Sequence, residues 1–207
     1  KLGFTKVSLM KLYSAKKIKD FVFNGGFLFA MCSATDSYDI ALAAEGVDIC
    51  ANIFDHDPMD NNANSKLDYS KSFAFENYKL SMNPLEYEYS SIDTYWSRQQ
   101  QYGMSQKTDL FTLFEFSAKW DPVPTMLCQN HTSTIQGFWG QTAAFDRRYV
   151  KKNVLILGEA KAFGEARYIH GDSGKGTWTF YSGHDPEDYQ HRVEEPPTDL
   201  SLHPNSA

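Results

Sequence analysis

Phe27-Leu28-Phe29-Ala30-Met31 is the stretch that most limits what this chain can fold into. It is unbroken by polar residues, too short for a buried helix, and bracketed by Asn24-Gly25-Gly26 before and Cys32-Ser33-Ala34-Thr35-Asp36 after. Such a run reads as a strand buried on both faces of a parallel sheet. Upstream, over residues 8–23, Leu9, Leu12, Ile18, Phe21 and Val22 recur at helical spacing with lysines between them, and the glycine pair supplies a C-terminal stop. Downstream, Ser33 to Asp36 supply helix-start residues, Ile40, Leu42 and Ala43 an apolar face, and Gly46 an end before residues 47–50 resume as a strand. The order helix, strand, cysteine, helix, strand predicts an α/β fold, a flavodoxin-like open sheet with helices on both faces and the 27–31 strand at its centre.

Residues 52–109 break this rhythm. Asp55-His56-Asp57-Pro58-Met59-Asp60-Asn61-Asn62 is turn chemistry, and aromatic alternating stretches follow at 73–75 and 85–89. The segment reads as a loop-rich insertion within a single domain spanning 1–207, packed over the carboxyl edge of the sheet. Sheet returns with strand candidates at 125–128, 154–157, 166–169 and 177–181. Gly171-Asp172-Ser173-Gly174-Lys175-Gly176 joins the last two as an antiparallel hairpin.

The formal charge of −6 argues against a protein that grips nucleic-acid phosphates, which takes clustered Lys and Arg. Lys11, Lys16, Lys17 and Lys19 share the polar side of one helix and read as a solvated face. No apolar run approaches the ~20 residues that span a bilayer. The three cysteines, Cys32, Cys50 and Cys128, lie far apart without CxxC spacing, so neither a zinc knuckle nor a disulfide framework is expected.

A side chain that leaves a strand and enters a helix within one residue occupies a strained turn, which needs small residues two before and two after it. Ala30 and Ala34 fill those positions around Cys32. The turn would present the sulfur at the carboxyl end of the sheet and at a helix N-terminus, where the backbone N–H groups favour thiolate. Ser33, Thr35 and Asp36, on the same turn, are the candidate ligand-binding residues. Cys50 and Cys128, inside apolar runs, read as core.

Gly25-Gly26-Phe27-Leu28-Phe29-Ala30-Met31-Cys32-Ser33-Ala34-Thr35-Asp36 resembles the elbow of class I glutamine-amidotransferase-like domains. Gly174-Lys175-Gly176-Thr177-Trp178-Thr179-Phe180-Tyr181-Ser182-Gly183-His184-Asp185 is similar to the closing hairpin and Gly-His-Asp signature of the trehalose-utilisation-like branch. The whole chain also resembles bacterial proteins labelled asparagine synthetase B, although the glutaminase half of true asparagine synthetases uses an N-terminal cysteine on a different fold. The resemblance implies that Cys32 attacks a carboxamide carbon, that His184 shuttles the proton and that an acid orients the imidazole. Amidotransferases usually place that acid two residues after the histidine; here the position is Pro186, leaving Asp185 or Glu187. The superfamily's oxyanion-hole glycine lies on a strand upstream of the elbow, so the chain reads as the larger C-terminal part of a longer polypeptide lacking its first βα units. Such chemistry needs no cofactor and implies a small-molecule amide substrate, with the bacterial cytoplasm and the periplasm both open. The alternative is a non-catalytic binding module for carbohydrate or a protein partner, in which the elbow persists as scaffold.

Other constellations carry weaker chemistry. Asp55, His56 and Asp57, with Asp60, could ligate a divalent cation, but their spacing matches no EF-hand or zincin pattern and fits a hydrated turn. His131 and His170 flank strand ends as structural histidines, and Asn130-His131-Thr132 fits a glycosylation sequon. Tyr87, Tyr89, Tyr95, Trp96, Trp139 and Trp178 suit core and loop anchoring, or the lining of a sugar- or partner-binding surface.

Overall fold

The computed structural model describes residues 3–86, 89–94, 110–113, 134–136, 142, 144–160 and 163–183, the two segments 110–113 and 134–136 as backbone only. It is a mixed α/β structure. Helix α1 spans Val7–Phe23, strand β1 Phe27–Met31, helix α2 Ala34–Ala43 and a single helical turn, α3, Asn52–Asp55. Strands β2 (Leu110–Leu113), β3 (Thr134–Gln136), β4 (Phe145–Asp146), β5 (Leu155–Ala160), β6 (Glu165–Ser173) and β7 (Gly176–Tyr181) complete an open sheet in the order β1-β7-β6-β5-β2-β3, with β4 against β6.

Helix α1 ends as its glycines require. Gly25 takes φ +112°, its N–H donates to Val22 O at 2.9 Å and that of Gly26 to Phe21 O at 2.9 Å, the two bonds of a Schellman C-cap. The β6–β7 turn locks onto this cap, Lys175 N donating to Phe23 O at 2.9 Å. A Cβ on Gly176 would strike the carbonyl oxygens of Val22 and Gly26, so only glycine lets the hairpin approach so closely.

Strand β1 pairs in parallel with β7, as the unbroken apolar run implies, but every other pairing among the described strands is antiparallel. Among the described residues β1 lies at the sheet's edge, not its centre, and Phe27 and Phe29 are 43% and 36% exposed while Ala30 is buried. An apolar run alone does not distinguish one covered face from two.

The predicted 47–50 strand is absent, and the alternating 73–75 stretch forms no ladder, for a common reason. Residues 47–50 form no ladder, because Asp48 N donates to the Asp60 carboxylate at 2.7 Å and Cys50 N to Asp48 Oδ1 at 3.0 Å. Residues 73–75 make only an isolated bridge, because their three amides point at Asp39 of α2. Short acidic side chains there outcompete strand pairing for the backbone donors. The 125–128 candidate lies outside the described residues.

The core forms where α1 and α2 meet the sheet and the 73–80 segment closes over them. Phe73, Phe75, Tyr78, Phe145, Ile169, Trp178 and Phe180 are buried together, with ring centroids of Trp178 and Phe180 4.8 Å apart and of Phe75 and Phe145 5.1 Å apart. The described part of residues 52–109 thus supplies core side chains. Lys19 leaves the solvated face expected for it: its ammonium reaches Lys71 O and lies 5.8 Å from the Phe73 ring centre, and burial lowers its pKa.

Candidate functional site

Cys32 follows β1 immediately and stands two residues before α2. Its φ is +54°, a left-handed conformation uncommon outside glycine. Its N–H continues the β1–β7 ladder by donating to Tyr181 O at 3.1 Å, and its carbonyl accepts from Thr35 N at 3.1 Å and Thr35 Oγ1 at 2.7 Å. Thr35, read from sequence as a ligand-binding residue, is fully buried and spends its hydroxyl on the turn. Ser33 makes no side-chain cap; its carbonyl accepts from Ser37 N. Cys32 itself is half-buried.

Asp36, one helical turn beyond Cys32, is buried, and its Oδ1 accepts from Ser37 N at 2.8 Å and from Thr142 Oγ1 at 3.0 Å. Thr142 N in turn donates to Asp93 Oδ2 at 2.7 Å, and Thr142 O accepts from Gly183 N at 2.9 Å, just past the end of β7. Ser182 N donates to Arg167 O at 2.8 Å; the Arg167 guanidinium meets Glu165 at 3.1 Å, and Thr94 Oγ1 donates to Glu165 at 2.8 Å. The carboxyl ends of the parallel pair β1 and β7 therefore share one edge with a buried polar network from five parts of the chain. Burial and then the neighbouring Asp93 carboxylate push Asp36 up to about 7, against the pull of its Thr142 and Ser37 donors. Burial likewise pushes Asp39 up to about 6, against the three amides of Phe73, Ala74 and Phe75 and the charge of Lys151.

His184, Asp185 and Glu187 follow Gly183 in the chain and lie outside the described residues, as do Cys128, His131, Tyr87, Tyr95, Trp96 and Trp139. Asp55, His56 and Asp57 do not converge: Asp55 caps the Asp57 amide at 3.1 Å, Asp57 pairs with Lys6, and His56 is exposed at the left-handed end of α3. Asp60 accepts from Asp48 N and Lys66. Among the described residues no three His, Cys, Asp or Glu side chains are arranged to hold a metal ion. Cys50, expected in a core strand, is half-buried in the 47–50 loop, where desolvation and the neighbouring Asp55 push its thiol up to about 11. His170 contacts Thr179 Oγ1 across β6 and β7 at 2.9 Å, Trp178 is core, and Tyr89 is exposed. No helix among the described residues is long and apolar enough to cross a membrane.

No family model matches the chain, and no curated protein or solved structure matches it. Sequence reasoning passed over Asp39, Asp93, Thr142, Glu165 and Arg167. A signal existed for Asp39, since Asp36, Asp39, Ile40 and Ala43 fall on one helical face and all four are buried. Asp93 and Thr142 meet only through tertiary structure.

Proposed function

We propose that the chain is a cysteine-dependent amide hydrolase or glutamine-amidotransferase-like enzyme, with Cys32 as nucleophile and His184 as its base. One observation carries this reading: Cys32 sits at positive φ between β1 and a ten-residue helix, at the carboxyl edge where parallel β7 leads through Gly183 into His184 in the sequence. The thiolate attacks the carboxamide carbon of a small-molecule amide. Breakage of the C–N bond expels ammonia, which takes its proton from the imidazolium. Water, deprotonated by the same imidazole, then hydrolyses the thioester to a carboxylate and restores the thiol. Asp185 or Glu187 orients the imidazole. Flavodoxin-like kinship and the elbow itself belong to this proposal, supported by the parallel β1–β7 pair and the small residues Ala30 and Ala34.

Selective alkylation tests the reading. Limiting iodoacetamide at pH about 6.5, followed by peptide mapping, should label Cys32 ahead of Cys50 and Cys128, with the preference lost in His184→Ala. Cys50 makes a sharp internal control, because its raised pKa keeps it thiol there. Equal labelling, or labelling of Cys32 indifferent to His184, would move the reading to a binding module that keeps the turn as scaffold.

A further inference from the structure

Thr142 makes three hydrogen bonds with three different groups, each to a distant part of the chain. Its N–H goes to Asp93, its hydroxyl to Asp36, and its carbonyl receives the Gly183 N–H. It does this at φ +57°, a conformation costly for any β-branched residue and kept only where surrounding contacts over-determine it. It is 1% exposed, so water cannot replace these partners. The two groups it joins flank the proposed chemistry. Asp36 lies on the first turn of the helix that Cys32 leads into, and Gly183, itself at φ +62°, is the residue before His184. Apart from the Cys32–Tyr181 ladder bond, this bracket ties the cysteine-bearing turn to the end of β7.

We infer that Thr142 is a positioning residue: through Asp36 and Gly183 it fixes the Cys32 turn relative to Gly183, the residue before His184 in the sequence, and its hydroxyl is the part that matters. The inference rests on the Cys32–His184 reading. Asp93 and Asp36 are the ionisable groups bonded to Thr142, and both face it from buried positions. A threonine is suited to this place because its hydroxyl donates to whichever acceptor oxygen Asp36 offers, charged or neutral.

The experiment compares Thr142→Val, which keeps the volume and loses the hydroxyl, with Thr142→Ser, which keeps the hydroxyl. In the whole protein, the rate of Cys32 alkylation by iodoacetamide is followed against pH. Wild type and Thr142→Ser should share one inflection. Thr142→Val should move it upward by about one pH unit, a roughly tenfold slower reaction near pH 6.5, with the alkaline plateau unchanged. A folded Thr142→Val protein with the wild-type profile overturns the inference. Amide hydrogen exchange on the wild-type protein is the second measurement, independent of any variant. Gly183 should be protected like the amides of β7, and exchange at the rate of an open loop overturns the bracket. A Gly183 amide that is protected in a protein whose Cys32 profile ignores His184→Ala would sink the dyad and leave the bracket's geometry intact, so the two failures are distinguishable.

Discussion

Side chains at positive φ mark where the fold spends local strain, and Cys32 at +54° and Thr142 at +57° do so on the two halves of one network. For Cys32 the cost is separable from the chemistry. Glycine adopts this conformation without penalty, whereas alanine keeps it, so Cys32→Gly should be more stable than Cys32→Ala by about 1 kcal/mol. Urea denaturation of the two variants checks this, and alanine as the more stable of the pair would mean the turn relaxes out of the left-handed region. The order of strand, Cys32 and helix was legible in the sequence because its signals are local: an apolar run and helix-start residues within ten positions. Thr142 was not legible. Its partners lie 49 and 106 residues away in sequence, and neither a left-handed threonine nor a long-range acceptor leaves a local pattern.

Elements were readable where periodicity or glycine governed them and misread where an acidic side chain intervened. Helix α1 with its Gly25-Gly26 stop, helix α2 and the β6–β7 hairpin follow from spacing and turn residues. Residues 73–75 look like a strand by composition, yet Asp39 takes all three of their amides at 2.6, 2.6 and 2.8 Å. That clamp holds Phe73 and Phe75 against Trp178 and Phe180, so a helix side chain does what strand pairing would otherwise do. Lys151 braces the same loop through Ser72 O at 2.6 Å. Asp39→Ala would orphan three buried donors at once and should cost about 3–5 kcal/mol, near the limit for a single substitution. Asp39→Asn, which leaves one acceptor oxygen, should fall between. Thermal melts of the two variants order these effects, and an alanine variant within about 1 kcal/mol of wild type would remove the clamp from the account.

At the scale of the whole molecule, the buried acids set how stability answers to pH. Asp36 and Asp39 rise from 3.8 to about 7 and about 6 on folding, chiefly through burial. A carboxyl whose folded pKa is raised is bound to its proton more tightly in the native state, so its contribution is fully present below pH 3.8 and is lost as pH climbs through the folded value. Glu45, Asp60 and Asp68 act in the opposite sense. Lysine donors beside Glu45, the Asp48 amide and Lys66 beside Asp60, and the Ser70 hydroxyl and amide beside Asp68 hold them below their usual range, and their support fades only as pH falls toward acid. These are surface groups screened by solvent, so the buried pair dominates. Stability should therefore decline from about pH 4 to about pH 7, with Asp36 contributing a ceiling of about 4 kcal/mol. Asp36→Asn isolates that contribution. The amide cannot ionise beside Asp93 but still offers an oxygen to the Thr142 hydroxyl, so the variant should match wild type near pH 4 and exceed it at pH 8. Urea midpoints at the two pH values measure the difference. An Asn variant weaker than wild type at both would mean that Asp36 is held as a carboxylate by stronger donors than burial opposes.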